Sequence, residues 1–267
     1  MLTRIVVGIG IAAVFAALLY LQGIYILIVF LLFSLIAQYE ILRTIKAGDI
    51  KTMDAPVYLF TLALYPAYHF FAMQGVFALY VATIMSLFII KVFANNTYDY
   101  KSIVFSGFTL LYPQLFMLYF YQVISVGDPA VSRMMLLLTV AAASGSDIFA
   151  YFVGVLFGKH KLCPDISPNK TVEGAVGGLL GAVFLTLAVV LLFGEKQVSL
   201  YIYLIAAIFY GILSQFGDLA ASITKRYFGV KDFGALLPGH GGVLDRICSL
   251  LFTIPAVWYF FQIFYGI

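Results

Sequence analysis

The chain is 267 residues long, 64% hydrophobic and 10% charged, with a formal charge of +3 and a mean hydropathy of +1.06. Soluble domains are about 45–50% apolar, so this composition excludes a soluble enzyme and points to an all-α, polytopic integral membrane helix bundle. The small net charge gives no basis for a nucleic-acid partner. Cys163 and Cys248, the two cysteines, form neither a disulfide framework nor a zinc-ligand pattern and read as small apolar residues.

A helix needs roughly 17–25 mainly apolar residues to cross a bilayer. Nine stretches reach or come within a residue of that length: Val6–Leu21, Ile24–Ile41, Pro56–Phe71, Val76–Phe93, Ile103–Ile124, Met134–Phe157, Val176–Phe193, Leu200–Phe216 and Ile247–Phe264. Gln22-Gly23 joins the first two as a tight hairpin. Another span follows at once and no polar mature region intervenes, so the first segment is expected to be retained and not cleaved as a signal peptide. Residues 1–130 read as N-terminal scaffold helices, in which Glu40, His69 and Asp99 are expected at membrane boundaries, bonded to water or a neighbour. Residues 131–267 read as a C-terminal catalytic region with two polar loops, 158–175 and 217–246.

The fifteen Lys and Arg divide unevenly between the two sides. Arg4, Arg43, Lys46, Lys51, Lys91, Lys101, Lys159, Lys161, Lys170, Lys225, Arg226, Lys231 and Arg246 fall on one side, and only Arg133 and Lys196 on the other. The positive-inside rule then places the N-terminus in the cytoplasm and the C-terminus outside. Both polar loops face the cytosol in this arrangement.

Ionisable groups close to hydrocarbon are expensive and mark functional sites by default. The stretch from Ser214 to Arg246 holds Asp218, Lys225, Arg226, Lys231, Asp232, His240, Asp245 and Arg246. Acids interleaved with bases suit a divalent cation holding a polyphosphate. Asp218 ends the eighth span and Asp245 begins the ninth, at about the same membrane depth, which suits one shared Mg²⁺ or a bridged pair; bonds to nearby Arg and Lys are the plainer alternative. Asp147, flanked by apolar helix in the sixth span, must face the bundle interior, and Ser144, Gly145 and Ser146 beside it admit another helix closely. Lys225 and Arg226 suit either phosphates or anionic headgroups. Gly239, Gly241 and Gly242 allow a nest of anion-binding amides, and His240 reads equally as a phosphate contact or a structural histidine. In the other loop, Ser167, Asn169, Lys170 and Thr171 offer phosphate donors just before a helix. Glu173 either caps that helix or reaches a metal.

Taken together, Ser222-Ile-Thr-Lys225-Arg226, Lys231-Asp232, Leu237-Pro-Gly-His240-Gly241-Gly242 and Asp245-Arg246 resemble the signature of the phosphatidate cytidylyltransferases, the CDP-diacylglycerol synthases. The stretch SGSDIFAYFVGVLFGKHKL…ISPNKTVEGAVGG resembles that family's second conserved block. The matches span about residues 144–249; the N-terminal half resembles the family only as a set of apolar spans. Thr224 stands where the signature usually has a larger apolar residue, and Cys248 where it usually ends in Asp. The resemblance implies CMP transfer from CTP to phosphatidate with Mg²⁺ (a second metal or a monovalent cation being open), in the cytoplasmic, inner membrane, by a homodimer surrounded by lipid. It implies Asp218 and Asp245 as metal ligands, with Asp147 as a third ligand or as a partner to one of them. Lys225, Arg226, Lys231 and Arg246 would neutralise phosphates, and Ser167, Asn169, Lys170, Thr171, Glu173, Ser222, Asp232, His240, Gly241 and Gly242 would serve substrate. A CTP-dependent lipid or polyprenol kinase needs similar chemistry but lacks this signature. An ion or phosphate transporter would line a path across the membrane, whereas these charges gather at one face.

Overall fold

The computed structural model describes residues 24–194, 198–237, 239 and 241–267, together with Gly10. Gly10 apart, the first predicted span lies outside them, as does His240. The described chain is largely helical, and seven helical stretches in it are long and apolar enough to cross a membrane, one of them the continuous run Tyr100–Ile124. The protein is an all-α membrane protein, and the described residues include one small hairpin.

Helix α1 covers Ile24–Ala47 and ends with Lys46 in its last turn, where a cation complements the helix dipole. Helix α2, Asp54–Phe93, has 40 residues. Straight, it would be about 60 Å long, about twice the hydrocarbon thickness. It is broken at Ala72, whose φ of 49° and ψ of −148° are not helical. The predicted spans 56–71 and 76–93 are the two arms of this one element. Helix α3, Tyr100–Thr109, begins with Asp99 as cap, its carboxylate accepting the Ser102 N–H at 2.8 Å. That bond holds the Asp99 carboxyl below its ordinary range. A wider turn at Leu110–Leu115, around Pro113, leads into α4, Phe116–Ile124; proline cannot supply the missing ladder N–H.

Helix α5, Pro129–Phe157, starts on an Asp-Pro pair, with Asp128 accepting the Ala130 N–H at 2.8 Å. Strands β1, Lys161–Cys163, and β2, Ser167–Thr171, then pair antiparallel with Lys161 opposite Thr171 and Cys163 opposite Ser167. The polar loop 158–175 is therefore built around a hairpin. Thr171 closes it and caps α6, Val172–Phe193, by accepting the Gly174 N–H. Helix α7 runs Leu200–Tyr227, eleven residues past its predicted end. The expected loop start at 217 gives way because 218–228 contains neither Gly nor Pro. Its Leu, Ala, Lys and Arg are good helix formers, and Lys225 and Arg226 favour the C-terminal turn. Gly229, with φ +70°, follows the end. Helix α8, Leu244–Tyr265, is the last.

These elements form two compact units, one of residues 1–122 with 227–246 and the other of residues 123–226 with 247–267. In the first, Ile41, Leu42, Ile45, Val57, Phe60, Leu64 and Tyr65 are almost fully buried. Phe228 of the 227–246 segment packs edge-on against Phe105, with ring centroids 5.2 Å apart. In the second unit, α5 and α6 approach so closely that a Cβ on Gly145 would lie 2.5 Å from the Gly181 carbonyl oxygen. The small residues around Asp147 thus admit a helix, as their size predicts.

Candidate functional site

In the second unit a cavity of about 500 Å³ opens between α5, β2, α6 and α7. Ser146, Asp147 and Tyr151 line it from α5, Asn169, Lys170 and Thr171 from the hairpin, and Gln215 and Asp218 from α7. The hairpin brings Lys170 Nζ to 2.6 Å from Asp218 Oδ2. Gln215 Nε2 donates to the Ala175 carbonyl at 2.8 Å and ties α7 to α6. Asp147 is on the cavity wall and exposed to it. Beside it the Ser146 hydroxyl is buried and has no hydrogen-bond partner among the described residues.

The position of Asp218 follows from Gly217. A Cβ there would meet the Cys248 carbonyl oxygen at 2.5 Å, so α7 and α8 cross almost backbone to backbone. The crossing sets Cys248 Sγ 3.8 Å from Asp218 Oδ1, its thiol directed at the carboxylate. Asp147 and Lys225 also act electrostatically on Cys248. On α7, Ser222 and Lys225 follow Asp218 at four and seven residues and share its face. Arg226 is exposed one position round the helix.

Two of the residues expected to bind substrate stand differently. Glu173 accepts the Lys159 and His160 N–H groups at 3.1 and 3.2 Å, and its other oxygen is 2.6 Å from His160 Nδ1. It fastens the turn after α5 and makes no capping box; the side-chain cap of α6 is Thr171. Ser167, at the far end of β2, is not among the described residues lining the cavity.

The first unit holds the Gly-rich turn. Leu237 N–H donates to the Gly241 carbonyl at 2.9 Å, and Gly239 and Gly241 take φ values of +76° and +82°. Asp245 Oδ2 accepts the N–H groups of Phe233 and Gly242, each at 2.9 Å. Val243 and Leu244 donate to the two oxygens of Glu40, at 2.9 and 2.8 Å. Consecutive amides do converge on anions here, and those anions are the chain's own carboxylates. Lys231, Asp232 and Arg246 are exposed.

The sequence places Glu40 at a membrane boundary, bonded to water or a neighbour. It is only 2% exposed, and its neighbour is the turn itself. Nothing in the sequence ties Glu40 to this turn. The available signal was its acidity inside an apolar span. His69 is exposed on α2, and Asp99 is the cap already described.

A model of the cytidylyltransferase family matches residues 2–264. The chain belongs to the cytidylyltransferase family. Membership extends through the N-terminal half, where the sequence motifs are silent. Among similar proteins, the phosphatidate cytidylyltransferase of Bacillus subtilis (strain 168) is 32% identical over 266 residues, covering 98% of this chain and 97% of its own. That of Staphylococcus saprophyticus subsp. saprophyticus is 40% identical over 164 residues, 61% of each chain. That of Staphylococcus aureus (strain COL) is 37% identical over 164 residues, again 61% of each.

Proposed function

We propose that the protein transfers CMP from CTP to phosphatidate, giving CDP-diacylglycerol and pyrophosphate in phospholipid biosynthesis. Family membership and full-length similarity to a phosphatidate cytidylyltransferase support the reaction. The observation that carries the site is the cavity in which Asp147, Asp218 and Lys170 meet. The attacking group is a phosphate monoester with a second pKa of about 6, so it is already largely dianionic at neutral pH. One of its oxygens bonds to the α-phosphorus of CTP as the bond to the β-phosphate bridging oxygen breaks and pyrophosphate leaves. No strong base is required. The task is to bring polyanions together and to stabilise the leaving charge.

The donors fit Mg²⁺. Among the described residues no three acidic, His or Cys side chains gather. Mg²⁺ is usually bound by one or two carboxylates, with substrate phosphates and water completing its shell. Asp147 and Asp218 offer two carboxylates, and the unpartnered Ser146 hydroxyl adds an oxygen. These residues would hold the ion, with Asp245 a further ligand on the strength of its place in the signature. When bound, Mg²⁺ neutralises phosphate charge. Lys170 and Lys225 orient phosphates by charge, Asn169 and Thr171 donate to them, and Arg226, Lys231 and Arg246 screen the remaining charge. Ser222, Asp232, Gly241, Gly242, His240, Ser167 and Glu173 are proposed to shape the substrate site. A second metal or a monovalent cation is compatible with this arrangement.

The same reading has nine spans, a cytoplasmic N-terminus and a site facing the cytosol at the inner membrane, supported by the uneven Lys and Arg distribution. It keeps residues 131–267 as the main catalytic region and, from the family resemblance, a homodimer. With Cys163 and Cys248 replaced, cysteines introduced singly at Gly127 and Gln197 should label from outside, and at Ser167 from inside; the reverse pattern overturns the orientation. The reaction is tested with CTP labelled at the α- or the γ-phosphate. Only CMP transfer moves the α-label into lipid. A kinase moves the γ-label, and a transporter moves neither.

A further inference from the structure

Three consecutive amides, those of Gly242, Val243 and Leu244, turn onto two carboxylates. Glu40 takes two of them, one on each oxygen, and Asp245 takes the third together with the Phe233 N–H. Glu40 comes from α1, about two hundred residues earlier, and is buried. The fit leaves no slack. A Cβ on Gly242 would lie 2.4 Å from Glu40 Oε1, and one on Gly234 would lie 2.3 Å from the same atom. A helix start needs only a local Ser, Thr, Asp or Asn to satisfy its first amides. A buried carboxylate is a costly substitute for that, and it does something a local cap cannot. It fixes the turn to α1, so the peptide planes on either side of Gly242 cannot rotate without breaking a charge-assisted bond.

We propose that Glu40 is a positioning residue for the reaction: it sets the orientation of the 242–244 amides and, through the Gly242 N–H, of the Asp245 carboxylate. The inference rests on the reading above in which Asp245 serves CMP transfer. Glu40 touches no substrate; it acts through the turn.

Glu40→Gln keeps the shape and one acceptor but presents an NH₂ group to one of the two amides. In full-length protein in detergent, hydrogen exchange at Val243 and Leu244 should accelerate by about tenfold or more, with α5 and α6 unchanged. Mn²⁺ affinity, read by electron paramagnetic resonance without substrate, and kcat should fall about ten- to a hundredfold, the range for losing a partner that orients a ligand. The CTP KM should move much less. Gly242→Ala pushes on the same carboxylate from the other side, so the double variant should be no worse than the poorer single one. It also replaces Glu40→Gln should that variant not fold. Faster exchange with unchanged Mn²⁺ affinity and kcat would make Glu40 a structural cap and overturn the proposal, as would unchanged exchange. Wild-type transfer of the α-label is measured first. With that transfer intact, a failed result overturns this inference and leaves the reaction standing.

Discussion

The cavity of the second unit and the Gly-rich turn of the first both centre on an aspartate, and they hold it in opposite ways. Asp218 is paired with a side-chain cation, Lys170, on an open wall. Asp245 is held by two backbone amides. A lysine on a flexible stem can leave a carboxylate for a phosphate and return, at little conformational cost. Backbone amides cannot leave without refolding the turn. The first arrangement suits a group whose partner changes as substrate arrives, and the second suits a group whose direction must stay fixed.

The largest expected effect tests whether both aspartates act through charge. Asp218→Asn and Asp245→Asn preserve shape and an acceptor oxygen but lose the charge that holds a hard cation. Each should lower α-label transfer by about a thousandfold or more, several kcal/mol at ~1.4 kcal/mol per tenfold, with the melting transition in detergent retained. Near-normal rates at low Mg²⁺ would make the aspartates structural. Next comes Lys170→Ala, which removes the exchangeable partner and one phosphate cation. A charged hydrogen bond contributes about 1.5–3 kcal/mol, so kcat/KM for CTP should fall roughly ten- to a hundredfold. An unchanged kcat/KM would leave the ion pair without a part in substrate binding.

The two regions were also unequally legible in sequence. Asp147, Asn169, Lys170, Thr171 and Asp218 were identifiable as polar groups in or beside apolar spans, and the structure brings them to one cavity. The crossing of α7 and α8 was not legible, because nothing marks Gly217 as a contact until the neighbouring backbone is known. The extension of α7 is not legible from polarity alone, because Leu219, Ala220, Ala221, Lys225 and Arg226 favour helix in a stretch that Asp218, Ser222 and Thr224 make polar. The kink at Ala72 was legible only as a gap between two apolar stretches. Glu40 was visible as an oddity but had no assigned partner, since its bonds reach a segment about two hundred residues away. Local pattern reports which residues are out of place in hydrocarbon; it does not report which distant backbone they satisfy.

The smallest expected effect sharpens the comparison at Cys248, where the family signature usually has Asp. The thiol is a weak donor, 3.8 Å from Asp218 Oδ1, and with Asp147 nearby the site already carries two carboxylates. Cys248→Asp adds a third beside them. Without a cation, three close carboxylates repel, so the apo protein should lose stability. With Mg²⁺ present, the added carboxylate should strengthen binding, and binding to the folded state should restore the lost stability by mass action. The half-saturating Mg²⁺ concentration should therefore fall, by less than about tenfold, a gain of under ~1.4 kcal/mol, while kcat at saturating Mg²⁺ changes little. The checks are a Mg²⁺ titration of α-label transfer and the melting temperature with and without the ion. If the variant is destabilised without Mg²⁺ and no concentration of the ion restores it, the space beside Asp218 does not take a cation. The open cavity would then serve substrate phosphates through Lys170 alone, and the contrast with the amide-held Asp245 would become one between a phosphate site and a structural turn.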